Sequence, residues 1–398
     1  MAINVDALTT LVAAAALYWL GDWLVKHIRL LRQYCIPAPL VGGVLFAIAN
    51  TALYASGRDY FTFNSHIQTF FMIVFFTTVG FTVRIPLLKQ GGKAVIRCLV
   101  LATVLTLAQN VLGAGVLGAM GADPRLGLAV GSISLVGGPG TAAAFGPVLE
   151  EAGATGGSVV GISAATFGLI MGSVLGGPAA NWLIQRKGIR GRQQEVETVA
   201  DDATVENRLS PKRTAVSAVL ILFCMGSSYI LAESFTNLTS ITMPWFAATM
   251  LVSALVRNTT ELDDDAFPDA ESDAIGSISL CAFLSMAMMS LKIWELAELA
   301  GPLAVALAAQ TALLLLFSVY IVFPKLGGDY DAATMTAGFI GFSMGATSNA
   351  MANMQAVTNK YGPSPTAFLV IPLVGGLAID FINIFVISTM LPMLGAFV

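Results

Sequence analysis

Val136-Gly137-Gly138-Pro139-Gly140-Thr141 and Ser343-Met344-Gly345-Ala346-Thr347-Ser348-Asn349 are the two stretches on which the fold turns. Each interrupts a long apolar run with glycines and small hydroxyl residues, where a membrane helix would otherwise continue. Hydrocarbon cannot solvate exposed backbone, so a break at that depth must be enclosed by protein or line a water-filled cavity. Breaks at corresponding places in two halves of one chain point to a transporter's binding site.

The surrounding composition is that of a polytopic membrane protein. Of 398 residues, 56% are hydrophobic and 11% charged, with a mean hydropathy of +0.79. Soluble domains carry about 25% charged residues. Apolar runs long enough to span a bilayer recur throughout the sequence. The four cysteines, Cys35, Cys98, Cys224 and Cys281, lie in or beside such runs without CxxC spacing, and His27 and His66 are the only histidines. A zinc site, a disulfide framework and a prosthetic group are therefore not expected, and nothing in the charge pattern suits nucleic acid. The first apolar run has its basic residues Lys26, Arg29 and Arg32 behind it rather than ahead, the reverse of a cleaved signal.

Spans are expected at 7–25, 36–55, 67–84, 94–118 and 157–184, then at 214–233, 241–257, 274–291, 301–323 and 366–391. Between the fourth and fifth, Leu126 to Leu149 is too short and glycine-rich for two more spans and reads as a re-entrant hairpin; 332–360 reads as a second. The polar stretch Gln185 to Arg213 separates an N-terminal transmembrane repeat, 1–184, from a C-terminal one, 214–398. With the N-terminus placed outside, all of the twenty Lys and Arg residues except Arg58, Arg125 and Lys292 fall on the cytoplasmic side, the linker 185–213 included, and the C-terminus falls outside.

The halves correspond residue by residue. Ile36-Pro37-Ala38-Pro39 matches Ile241-Thr242-Met243-Pro244, Gly131 to Ala143 matches Gly338 to Ala350, and Gly176-Gly177 matches Gly375-Gly376. Five spans per half is an odd number, so the copies must have inverted topology. The fold class is thus an all-α polytopic protein of two inverted five-helix repeats, each with a re-entrant hairpin.

Asp380 carries the most information of any single residue. It lies mid-span, where a carboxylate costs at least ~2.5–3.5 kcal/mol and is normally paired or facing a cavity. Nothing basic lies within two turns of it, and Asn383, three residues on, shares its helix face. That pair, with Thr347, suits oxygen ligation of sodium. Gly138, Gly140 and Thr141 from the first break, with Gly345, Thr347, Ser348, Asn349, Asn353 and Gln355 at the second, are the candidate substrate-binding residues. Amides at a fresh helix N-terminus can hold an anion there. Gly42, Gly43, Gly172, Gly176 and Gly177 read instead as close helix packing. Gln109, Asn110 and Gln310 read as interhelical hydrogen bonds, Asp22 as a surface partner of Lys26, and Glu261 to Asp273 as a solvated loop.

At this point the sequence resembles the bacterial sodium/glutamate symporters. The resemblance rests on Gly341-Phe342-Ser343-Met344-Gly345-Ala346-Thr347, Ala352-Asn353-Met354-Gln355-Ala356, Ile379-Asp380 and Gly137-Gly138 with Gly140-Thr141. It rests also on Ala165-Thr166-Phe167-Gly168-Leu169 and on Leu291-Lys292 with Trp294-Glu295-Leu296-Ala297. It implies sodium-coupled glutamate uptake by alternating access across the bacterial inner membrane, with sodium as coupling ion and a homodimeric assembly. Two places depart from the family pattern: Val136 and Pro139 stand where it has Ser and His, and Ser348-Asn349 where it has Pro-Thr. Those changes bear on the identity of the carboxylate. The reading is therefore a sodium-coupled glutamate symporter, not an enzyme, with a sodium- or proton-coupled carrier of another organic anion as its rival. A membrane-embedded enzyme lacks a nucleophile–base pair or a metal cluster, and a passive channel is separated by a test of concentrative uptake.

Overall fold

Apolar segments can satisfy their backbone groups inside a bilayer only as helices or closed barrels, and almost everything the structure describes is helical. It is a computed structural model, describing residues 2–29, 31, 36–63, 65–84, 92–189, 210–239, 244–259, 267–296 and 299–395. The first half contains α1 (Ala7–His27), α2 (Ala38–Ala55), α3 (His66–Phe81) and α4 (Gly92–Ala119). Then come the short α5 (Leu126–Leu128), continued by a π-helical turn at Ala129–Ile133, α6 (Gly138–Glu151) and α7 (Gly157–Lys187). The second half contains α8 (Pro211–Thr239), α9 (Trp245–Thr259), α10 (Asp269–Met289) and α11 (Ala300–Phe317), the last extended by a π turn at Ser318–Val322. It ends with α12 (Tyr330–Met344), α13 (Thr347–Tyr361), α14 (Pro365–Leu373), a π turn at Val374–Ala378 and α15 (Ile379–Gly395). Among the described residues, eight helices are long and apolar enough to cross a membrane, and α3 is a shorter apolar one.

The helices sort into two groups. α1, α2, α3, α8, α9 and α10 pack on one another; α4, α5, α6, α7 and α11 to α15 form the other body. Each group takes members from both halves. Small residues set the approach within them. A Cβ on Gly42 would overlap the Leu17 carbonyl, and one on Gly176 would overlap the Asn353 side chain. Gly177, expected to serve the same purpose, faces open space instead, because the groove on α7 follows Gly168, Gly172 and Gly176 at four-residue spacing. The two groups meet through aromatic rings, with Phe246 of α9 against both Phe76 and Phe145.

Other expectations are refined. The helical class holds, but Ala2–Val5 and Tyr60–Phe63 form a small parallel pair of strands, β1 and β2. Asn50 fixes the second strand by bonding both the N–H and the carbonyl of Phe61. Asp269 and Glu271 are not loop residues: they open α10, where acidic side chains complement the helix dipole. Asp269 pairs with Arg84 and Arg257, and Glu271 with Arg213. The remainder of that acidic stretch, 260–266, lies outside the described residues, as do Cys35, 241–243 and most of the linker, 190–209. The Asp22–Lys26 pair is present at 2.6 Å on an exposed face.

Candidate functional site

The first break is built around Gly131, where the helix departs from helical geometry at φ −96°, ψ −131°. A Cβ at that position would come within 2.6 Å of Asn110 Oδ1. Without one, Asn110 accepts from the Ser132 N–H at 2.9 Å. The Ser132 carbonyl then accepts from the N–H groups of Val136 and Gly137 and from Asn383 Nδ2. The chain turns into α6 at Gly138, whose φ of +67° favours glycine. Pro139 occupies the first helical turn, where its missing N–H costs no intrahelical bond. No side chain caps α6.

The second break lies between α12 and α13. Gly345 adopts φ −154°, ψ −88°, and Ala346 is extended. α13 begins at Thr347, also without a side-chain cap. Thr347 Oγ1 donates to the Gly375 carbonyl at 3.0 Å, tying the tip to the π turn ahead of Asp380. Farther along α13, Asn349 Nδ2 donates to the Leu169 carbonyl and Asn353 Nδ2 to that of Gly172, seating α13 on α7.

The tips meet: a Cβ on Gly138 would stand 3.2 Å from the Gly345 carbonyl oxygen. Around this junction is a cavity of ≈ 250 Å³ lined by 136–141 of one tip and 345–348 of the other, with Leu169, Gly375 and Asp380. Pro37, Phe75, Phe76, Val79, Leu280 and Leu284 supply its opposite, apolar wall. Two uncapped helix N-termini thus open on one small cavity, each carrying about half a positive charge. No Lys or Arg is among the described lining residues. Asp380, the one ionisable group among them, has no bonded partner among the described residues.

Of the residues singled out from the sequence, Gly138, Gly140, Thr141, Gly345, Thr347, Ser348 and Asp380 come together in this cavity. Asn349 and Asn353 are buried beside it and spend their amide nitrogens on α7. Gln355 is exposed and bonds to Asn359. Asn383 is buried one turn beyond Asp380, against Ser132. The apolar wall went unread in the sequence, because a Phe or Leu in a spanning segment looks the same whether it faces lipid or a site. Gln109 and Gln310 do bridge helices, to the Ser343 and Gln109 carbonyls respectively.

A larger cavity of ≈ 410 Å³ lies near Arg125, Phe145, Glu151 and Ser388. Its cation is already engaged, since Arg125 bonds Asp123 and the Ala152 carbonyl, pinning the far end of α6. Burial raises the Asp123 carboxyl, but the hydrogen bonds and charge of Arg125 outweigh it and hold the group below its ordinary range.

The chain matches a family model described as sodium/glutamate symporter over residues 3–363. It is 37% identical over 392 residues to the sodium/glutamate symporter of Escherichia coli (strain K12), covering 97% of each chain. It is 35% identical over 390 residues to the sodium/glutamate symporter of Haemophilus influenzae, covering 96% of each.

Proposed function

Because the chain belongs to the sodium/glutamate symporter family, we propose that it carries glutamate across the bacterial inner membrane, driven by sodium. The carrying observation is the meeting of two broken segments, remote in sequence, around one cavity that holds a lone carboxylate. A dicarboxylate suits this cavity. Its two carboxylates find two uncapped helix N-termini, and with no Lys or Arg among the described lining residues those dipoles and backbone amides are its anion-binding groups. Gly138, Gly140, Thr141, Gly345, Thr347 and Ser348 contact the substrate in this reading. Asn349 and Asn353 position α13, and Gln355 stays outside.

Sodium binds at Asp380 with Thr347 nearby, and the ion offsets the charge of an incoming anion. The two therefore favour each other's binding reciprocally. Each half is a repeat of five spans and a re-entrant hairpin, inverted relative to the other, with boundaries at 1–184, 185–213 and 214–398. Matching element order supports this, as does the 31-residue length of both Gly157–Lys187 and Pro365–Gly395. The body bearing the tips moves against the other six helices to give alternating access. Two copies associate through the latter. Both termini face outward and the linker faces the cytoplasm.

Uptake of labelled glutamate into proteoliposomes tests the scheme, with sodium and proton gradients imposed separately. Sodium-driven accumulation is expected, with inhibition by dicarboxylates stronger than by monocarboxylates. Asp380→Asn should abolish it while inserting normally. Accumulation driven by protons alone, or undiminished in Asp380→Asn, overturns the assignment.

A further inference from the structure

Four buried amides share one peculiarity. The nitrogens of Gln109, Gln310, Asn349 and Asn383 each donate to a backbone carbonyl, and the oxygens of the same four have no partner among the described residues. The carbonyl in each pair fixes the orientation, since a reversed amide would set oxygen against oxygen. The interior therefore holds surplus neutral oxygen, and a buried acceptor left unpaired costs free energy.

Asn383, one of the four, lies at the Gly131 break beside a second unpaired oxygen. Ser132 is fully buried and its Oγ has no partner among the described residues; Asn383 is 1% exposed and its Oδ1 has none among them. Both residues are held at one peptide unit, because Asn383 Nδ2 is bonded to the Ser132 carbonyl at 3.0 Å. Asn110 Oδ1 reaches the Ser132 N–H from a third helix and retains a second lone pair. We propose that Ser132 Oγ, Asn383 Oδ1 and Asn110 Oδ1 form an uncharged site for sodium, separate from the cavity and rooted in the broken backbone. The site rests on the reading of the chain as a sodium-coupled carrier.

Three physical points favour a cation there. Hard cations take oxygen ligands, and every free atom at this place is an oxygen. Irregular backbone at membrane depth is where carriers hold coupling ions. Asp380 sits three residues before Asn383 on the same helical run, about 4.5 Å along the axis, so until it takes its own ion its carboxylate supplies an attractive field to this second site without being a ligand there. No Lys or Arg lies within a turn of Ser132 or Asn383 in the sequence to oppose it.

The test uses thermal unfolding of the full-length protein in detergent, titrated with sodium against potassium at constant ionic strength and without glutamate. Ser132→Ala removes a hydroxyl that makes no bond, so its melting temperature in potassium should equal or exceed that of the parent. Its half-saturating sodium should rise about tenfold, the scale of one lost contact to a charge. Ser318→Ala, which removes another buried and unpartnered hydroxyl, should leave the sodium response unchanged. An unaltered sodium response in Ser132→Ala overturns the site, leaving sodium-driven uptake intact as a property of the protein. A parent protein showing neither sodium stabilisation nor sodium-driven uptake would overturn the carrier reading itself.

Discussion

Replacing Gly138 by alanine tests the junction of the two tips directly. The residue has φ +67°, and an L side chain there costs ~1–2 kcal/mol. The added Cβ would also press on the Gly345 carbonyl oxygen from 3.2 Å, so one tip must give by a few tenths of an ångström. Both penalties are relieved only by a local reshaping of the tip, so they act against the arrangement in which the two tips contact substrate. A loss of about 1–2 kcal/mol shifts such an equilibrium roughly 5- to 30-fold, and apparent substrate affinity falls in proportion to the competent fraction. Gly115→Ala is the control, because a Cβ there meets nothing within 4 Å and the residue lies outside the cavity. Its half-saturating glutamate should stay within about twofold of the parent's. The assay is initial-rate uptake against glutamate concentration at fixed sodium gradient, with a detergent melting curve to separate folding from binding. Unchanged affinity in Gly138→Ala, or equal damage from Gly115→Ala, would refute the contact as the source of the effect.

Two further outcomes follow from the packing and the charges. Gly176→Ala should lower the melting temperature and the monodisperse yield, since its methyl collides with Asn353, whereas Gly177→Ala meets nothing and should stabilise by about 0.5–1 kcal/mol. Asp123 is held below its ordinary value of 3.8 by Arg125, so its stabilising contribution is complete above that pH and disappears as pH falls through the lower folded value. Melting curves of the parent and Asp123→Asn should therefore differ near neutrality and converge in strong acid; a gap that widens with acidification would contradict the assignment.

How far the sequence reveals this molecule depends on the range of each interaction. Spans and breaks are local properties of hydropathy and glycine placement, so the long apolar helices and the two interrupted segments could be read ahead of the structure, whereas the departure at Gly131 and the π turn at Val374–Ala378 could not. Thr347 and Ser348 fall in the first turn of α13 rather than in the gap itself. The roles of Asn349 and Asn353 were not legible, because a four-residue spacing shows a shared face but not what lies opposite. The opposing surface is the glycine groove of α7, and its carbonyls take both amides. Asp269 looked like loop for a similar reason: its partners Arg84 and Arg257 come from other elements. The strands β1 and β2 are four residues each, and only their pairing across distant sequence makes them strands.

The bonds at the centre of the molecule also constrain its synthesis. Gln109 must find the Ser343 carbonyl, and Ser132 must find Asn383, so side chains made early wait for partners made near the end. Until Ser343 is made, the Gln109 amide has no carbonyl to receive it, and until the final helix arrives the first tip is held by Asn110 and by the Ser134–Gly161 bond without its Asn383 contact. A nascent chain truncated before Tyr330 is consequently an insertion intermediate with the Gln109 amide unsatisfied in lipid, the kind of species that membrane quality control removes.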